Sequence, residues 1–331
     1  MTDSMKAIQI SKFGGPEVCD YTDVPVPECG DGQVLVRIAI AGINYLDNYT
    51  REGVRAGPLP FILGSEGAGT IAEVGANAGD AAVGDTVVFR GSVTGAYAEY
   101  AVVPAWLTYR VPDGIALEVA VTLHLQGMTA HYLANDVFPV AAAHTCLIHA
   151  GAGGVGHQLI QLAKAKGATV FATTGDQEKA GIAKGLGADE VILYRDTDFA
   201  EAVLELTDGG GVDVVFDSVG QATIDGSIAC TKFLGTVVLF GDASGITPPL
   251  ETRKLAAKCI KLTRVSLMPF VADHAAIVAR CDELFQLHRD GKLNPLMAPV
   301  RPLSEAGAVL AEMAGRGTAG KLLLRPYTNG H

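Results

Sequence analysis

The chain has 331 residues, 49% of them hydrophobic and 18% charged, with a formal net charge of −11. That length suggests two domains, and an acidic balance with no long basic run excludes a nucleic-acid-binding surface. Six cysteines with no Cys-x-x-Cys pair point to reduced thiols in a cytoplasmic chain, while no signal peptide and no uninterrupted membrane-length apolar run stands out.

Along the first 110 residues, "GQVLVRIAIAGI", "GTIAEVGANA", "GDTVVFRG" and "AYAEYAVV" alternate at period two between turn residues. They predict a mostly antiparallel, barrel-like β region. "ALEVAVTLHLQGMTAHYLAND" then takes helical spacing. From residue 145 strand and helix alternate: strands at 145–150, 169–174, 190–194, 212–218, 236–241 and 259–267, with helices at 155–166, 176–186, 198–207 and 222–233. Crossovers of that length predict parallel pairing in a doubly wound α/β sheet, in the order 3-2-1-4-5-6. After a helix over 273–289 the chain turns extended again, and "TAGKLLLRP" reads as a last strand. The expected domains are 1–125, 126–267 and a return over 268–331.

Gly151, Gly153 and Gly156 spell G-x-G-x-x-G, with Gly154 and Val155 between them. The motif leaves an apolar strand and opens a helix whose expected buried face is Val155, Leu159, Leu162 and Ala163. There the glycines permit a tight turn, close approach to a pyrophosphate and close helix–strand packing, and the helix start offers N–H donors. A dinucleotide is therefore expected. Where NAD sites place an acid at the end of the second strand, this chain has Thr174 and Gly175. Lys179, Tyr194 and Arg195 follow nearby, so NADPH is expected over NADH. Asp176 argues the other way, since it could repel a 2′-phosphate or bind a 2′-hydroxyl.

"HAGAGGVGHQLIQLAKAKGA", "GADEVILYRD", "VDVVFDSVG" and "FGDASG" resemble the coenzyme half of the quinone oxidoreductases, the zeta-crystallin branch of the medium-chain dehydrogenase/reductase superfamily. "AGINYLDNYTREG", "LGSEGAGTIAEVG" and "TAGKLLL" resemble the rest of that family's chain. The resemblance implies a GroES-like catalytic domain split around a Rossmann domain, NADPH in the cleft, and a homodimer joined through the outermost Rossmann strand near 262–267.

Zinc-dependent members of the superfamily carry metal ligands where this chain has Asn44, Ser65 and Gln126. Amides and hydroxyls are poor zinc ligands, so no metal is expected. Without a Lewis acid the expected reaction is NADPH-dependent hydride delivery to an already electrophilic acceptor: a quinone, or the double bond of an α,β-unsaturated carbonyl. The alternatives are an enoyl-thioester or alkenal reductase on the same fold, or a non-catalytic NADPH-binding protein.

Asn44 and Tyr49 are the candidate donors to the acceptor oxygen, and Asp47 is expected to serve as a structural hydrogen-bonding group. Arg55 stands where many relatives have a tyrosine, which weakens the enoyl-thioester reading and suggests a cleft mouth that favours anionic or oxygen-rich acceptors. Gly241, Asp242 and Ser244 in "FGDASG", together with Thr129 and Lys321, complete the expected coenzyme contacts.

Overall fold

The computed structural model describes residues 3–54 and 57–327. The chain divides into two compact units, one formed by Met1–Leu125, Val271–Phe285 and Pro295–His331, the other by Gln126–Phe270 and Gln286–Asn294. The stretch 286–294, expected with the returning segment, belongs instead with the second unit. There Gln161 accepts a hydrogen bond from Asn294 N at 2.7 Å and donates to its carbonyl at 3.0 Å.

In the first unit a sheet runs in the order Arg301–Pro302, Leu322–Arg325, Gln33–Ile43, Glu66–Val74, Thr86–Arg90 and Thr108–Arg110, with Tyr100–Pro104 also paired to Gln33–Ile43. A second small sheet joins Asp20–Pro25, Ser4–Ile10 and Phe61–Ile62. All pairs are antiparallel except that of Arg301–Pro302 with Leu322–Arg325. The register places the site. Leu322 faces Ile43, Gly42 faces Glu66, and Glu66 faces Arg90, so residues far apart in sequence arrive side by side.

The second unit holds six parallel strands in the spatial order Glu190–Leu193, Thr169–Thr174, Thr145–Ile148, Val212–Asp217, Thr231–Leu239 and Lys261–Arg264. This is the 3-2-1-4-5-6 arrangement of a Rossmann sheet. Leu147, Val215 and Val237 are fully buried on its central strands, as expected when helices cover both faces. The fifth strand begins at Thr231, five residues before its expected start, and its pairing with Val212–Asp217 carries a register shift between Val212 and Val214.

Two other expectations change. The helix Gly156–Ala165 buries every residue from Gly156 to Ala163 rather than one face, while Val155 precedes it and is half-buried. The expected helix after residue 116 contains π-helical turns at Thr122–Gly127 and Leu133–Val137, wide turns often found near functional sites. Among the described residues no helix is long and apolar enough to cross a membrane.

Candidate active site

The candidate coenzyme site in the second unit is built where three Rossmann strands end. Gly151 N donates to the Thr173 carbonyl and Gly153 N to the Ala150 carbonyl, with Ala150 in the left-handed region at φ 52°. A Cβ at Gly156 would collide with the Ala150 carbonyl oxygen and lie 3.1 Å from Gly151 Cα; one at Gly154 would strike the Gln126 side chain. The turn therefore packs with no room for a side chain, as a pyrophosphate cradle requires. His157 Nδ1 lies 2.9 Å from the Gly153 carbonyl and Gln158 Nε2 donates to that of Gly154 at 3.3 Å. These bonds tie down loop carbonyls at the helix start, where the partial positive charge favours an anion, although His157 N and Gln158 N already donate to the Gly153 and Val155 carbonyls.

Beside the loop, Thr174 is buried and accepts from Tyr194 N at 3.2 Å through its carbonyl. A Cβ at Gly175 would come 3.0 Å from Tyr194 Oη and 3.4 Å from Arg195 Cζ. Lys179 Nζ lies 3.7 Å from Asp176. Thr174, Gly175, Lys179, Tyr194 and Arg195 thus belong to one corner. Asp176, which argued against a phosphate, caps the helix Gln177–Gly185 by accepting from Lys179 N at 2.9 Å. That bond first, and the Lys179 and Arg195 charges after it, hold its carboxyl below the usual range.

The loop after the fifth strand is tied back into the protein. Arg264 takes the Asp242 carboxylate, with Nη1 to Oδ1 at 2.8 Å. Ser244 Oγ donates to the Val219 carbonyl and accepts from Ala222 N, closing the turn rather than pointing away from it. Gly241 packs against the Ser218 backbone. Thr129 is half-buried in the helix Met128–Tyr132.

Sequence reasoning missed the polar pin beneath this corner. His149 contacts Thr173 Oγ1 at 2.9 Å and Ser227 Oγ at 3.0 Å, and Ser227 donates to Asp217 Oδ2 at 2.8 Å. Asp217 Oδ1 in turn accepts from Val219 N, Gly220 N and Thr223 Oγ1. Burial pushes the His149 ring below the usual histidine range, which favours a neutral ring that both donates and accepts.

In the first unit, Asn44 begins the helix Tyr45–Arg51 and is 5% exposed. Its Nδ2 donates to Glu66 Oε1 at 2.7 Å and lies 3.4 Å from Ser65 Oγ, while its Oδ1 accepts from Lys321 Nζ at 3.0 Å. Lys321 and Glu66 form an ion pair, both side chains fully buried. Lys321, expected among the coenzyme contacts, is thus grouped with Asn44. Tyr49 is half-buried and packs edge-on against Tyr45 at 5.2 Å on the same helix. Arg55 lies outside the described residues.

His124, another residue missed, is fully buried with neither ring nitrogen hydrogen-bonded. Burial first, then the Arg90 and Lys321 charges, push it down to about 3. Among the described residues no three His, Cys, Asp or Glu side chains gather as metal ligands. The donor set around Ser65 is an amide, a hydroxyl and a carboxylate already paired to a lysine, chemistry that does not suit zinc.

Asp47 Oδ2 accepts from Tyr97 Oη at 2.7 Å and from Asn44 N at 2.8 Å. Burial dominates even so and raises its carboxyl from 3.8 to about 6. The folded chain therefore binds more protons than the unfolded one between those values. Stability falls as pH rises through that window, by at most about 3 kcal/mol. Asp47→Asn is expected to remove that slope: the gap in unfolding free energy between variant and wild type should change from pH 4 to pH 7 in urea titrations. A constant gap would contradict it.

Comparison with known proteins agrees with this architecture. Residues 30–113 match the family model described as alcohol dehydrogenase GroES-like domain, and residues 154–280 that described as zinc-binding dehydrogenase. The fold and site are those of a dehydrogenase/reductase, an oxidoreductase with a GroES-like domain and a Rossmann domain. The chain is 38% identical to quinone oxidoreductase of Pseudomonas aeruginosa, over 97% of this chain and 99% of that protein. It is 36% identical to 2-haloacrylate reductase of a Burkholderia species, over 97% and 98%. The structure of Escherichia coli quinone oxidoreductase complexed with NADPH superposes with a TM-score of 0.94, at 34% identity, covering 97% of this chain and 100% of that one. The chain belongs to the quinone oxidoreductase family of the medium-chain dehydrogenase/reductase superfamily.

Proposed function

We propose that the protein is an NADPH-dependent, zinc-independent reductase of quinones or of the double bond of α,β-unsaturated carbonyls. One observation carries the coenzyme choice: Gly175 leaves the second strand open where Lys179, Tyr194 and Arg195 converge. Bound NADPH would supply the hydride, and this chain's residues would bind, orient and stabilise charge. Gly151, Gly153, Gly154, Val155 and Gly156 would hold the pyrophosphate, and Thr174, Gly175, Lys179, Tyr194 and Arg195 the 2′-phosphate. Thr129 and the backbone at Gly241 are further coenzyme contacts in this reading.

On the acceptor side, Asn44 is held by Glu66 at 2.7 Å but meets Ser65 at only 3.4 Å. That long contact is weak enough to yield to an acceptor oxygen gaining charge, and Lys321 on Oδ1 polarises the amide in the same direction. Tyr49 is the second donor. The reading includes a cytosolic homodimer joined along the edge strand Lys261–Arg264, supported by the exposed Phe233 and Leu234 in the same unit. Sedimentation should give a dimer, and a monomer would overturn that part.

The coenzyme assignment is tested by fluorescence titration. The double substitution Lys179→Ala with Arg195→Ala should weaken NADPH by about tenfold or more, since charged hydrogen bonds to a phosphate are lost, and leave NADH unchanged. Equal losses for both coenzymes would contradict it.

A further inference from the structure

His149 is buried at the end of the first Rossmann strand, two residues before Gly151. It touches four other segments of the second unit. Ring Nδ1 meets Thr173 Oγ1 at 2.9 Å, and ring Nε2 meets Ser227 Oγ at 3.0 Å. Phe199, which opens the helix Phe199–Leu206, packs edge-to-face against the ring, with centroids 4.8 Å apart. On the backbone, His149 N donates to the Phe216 carbonyl at 3.1 Å.

The hydroxyls fix the proton on the ring. Ser227 gives its own hydrogen to Asp217 Oδ2 at 2.8 Å, so its oxygen must accept from the ring. That assigns a neutral ring protonated on Nε2, whose bare Nδ1 accepts from Thr173. Each partner in turn holds a loop of the coenzyme site. Thr173 precedes Thr174 and Gly175, and its carbonyl accepts from Gly151 N at 3.0 Å. Asp217 Oδ1 accepts from Val219 N at 2.8 Å and Gly220 N at 3.0 Å, and the Val219 carbonyl accepts from Ser244 Oγ at 2.7 Å. His149, Thr173, Ser227 and Asp217 are all buried, and a buried network with every member bonded is rigid.

We propose that His149 is a positioning residue for the coenzyme, holding the glycine turn and the 2′-phosphate corner at the one separation that NADPH spans. This role rests on the NADPH reading and adds to it a side chain that acts from beneath the site. A ligand that reaches both places needs their spacing fixed in advance, whereas one that fills the corner alone does not.

The test compares wild type, His149→Leu and His149→Gln by fluorescence titration with NADPH and NADH. Calorimetry with adenosine 2′-monophosphate reads the corner alone. In His149→Leu, NADPH should weaken by about tenfold or more and adenosine 2′-monophosphate by less than about threefold, because only the spanning ligand loses preorganisation. The preference for NADPH over NADH should narrow. Glutamine again offers one donor group and one acceptor, and His149→Gln should recover part of the NADPH affinity. A merely structural role would weaken both phosphate ligands in the same proportion. Ser227→Ala, which cuts the ring from Asp217 and leaves Thr173 bonded, should order the ligands in the same way and serves where His149→Leu does not fold. Equal losses for both ligands, NADPH affinity unmoved in the folded variants, glutamine no better than leucine, or a wild-type ring protonated on Nδ1 by nitrogen-15 NMR would overturn the proposal. Wild-type protein that binds no NADPH would instead sink the coenzyme reading, and this role with it.

Discussion

Lys321→Met is expected to destabilise the protein by about 3–5 kcal/mol, the loss typical of removing one member of a buried ion pair. Lys321 and Glu66 are both fully buried, and the second Glu66 oxygen has no hydrogen-bond partner. Without the ammonium, a carboxylate would remain in the interior held chiefly by Asn44 Nδ2. Adding Glu66→Gln should recover much of the loss, so the pair's effects should be strongly non-additive in a double-mutant cycle of urea unfolding curves. A single-mutant loss below about 1 kcal/mol, in the range of exposed pairs, would contradict the buried network. Glu66→Gln alone should also reduce turnover more than coenzyme affinity, since it loosens Asn44 in the first unit while the glycine loop lies in the second.

The second large effect concerns the glycine turn. Gly156→Ala should lower NADPH affinity by about a hundredfold or more, because the added methyl meets backbone that cannot step aside. Relieving the collision moves the Ala150 carbonyl or the start of the helix, and either shift misplaces the N–H donors. Gly181 supplies the control. It sits inside the helix Gln177–Gly185 with nothing within 4 Å of an added Cβ. Gly181→Ala should therefore leave coenzyme binding intact and stabilise the protein by about 0.5–1 kcal/mol. Coenzyme titrations and thermal melts of both variants check the pair, and unchanged NADPH affinity in Gly156→Ala would remove the loop from the coenzyme site.

The Rossmann half was legible in the sequence because strands covered on both faces are unbroken apolar runs, and "VVLF" between glycines admits little else. The glycine loop was legible because its spacing answers to local geometry. Less could be read where a residue's role depends on register. Asn44 stood out from its motif, but its partners Glu66 and Lys321 lie 255 residues apart and meet only because Leu322 pairs with Ile43 and Glu66 with Gly42. No local pattern encodes that meeting. His124 and His149 were hidden for a related reason: the sequence around each sets no partner, and only tertiary packing shows that one ring has no hydrogen bond and the other is bonded on both nitrogens. The ion pair of Asp242 could not be read because its partner Arg264 sits on the neighbouring edge strand. The helix Gly156–Ala165 misled through its polar His157, Gln158 and Gln161, which face protein groups rather than water.

In the proposed function, a side-chain network centred on Asn44, and no metal, handles the acceptor while NADPH is held on the glycine turn. The most direct measurement is NADPH oxidation with 1,4-naphthoquinone by protein of measured zinc content, before and after a strong chelator. Steady turnover is expected in zinc-free protein, unchanged by chelation and greatly reduced in Asn44→Ala. Stoichiometric zinc together with loss of turnover on its removal would contradict it.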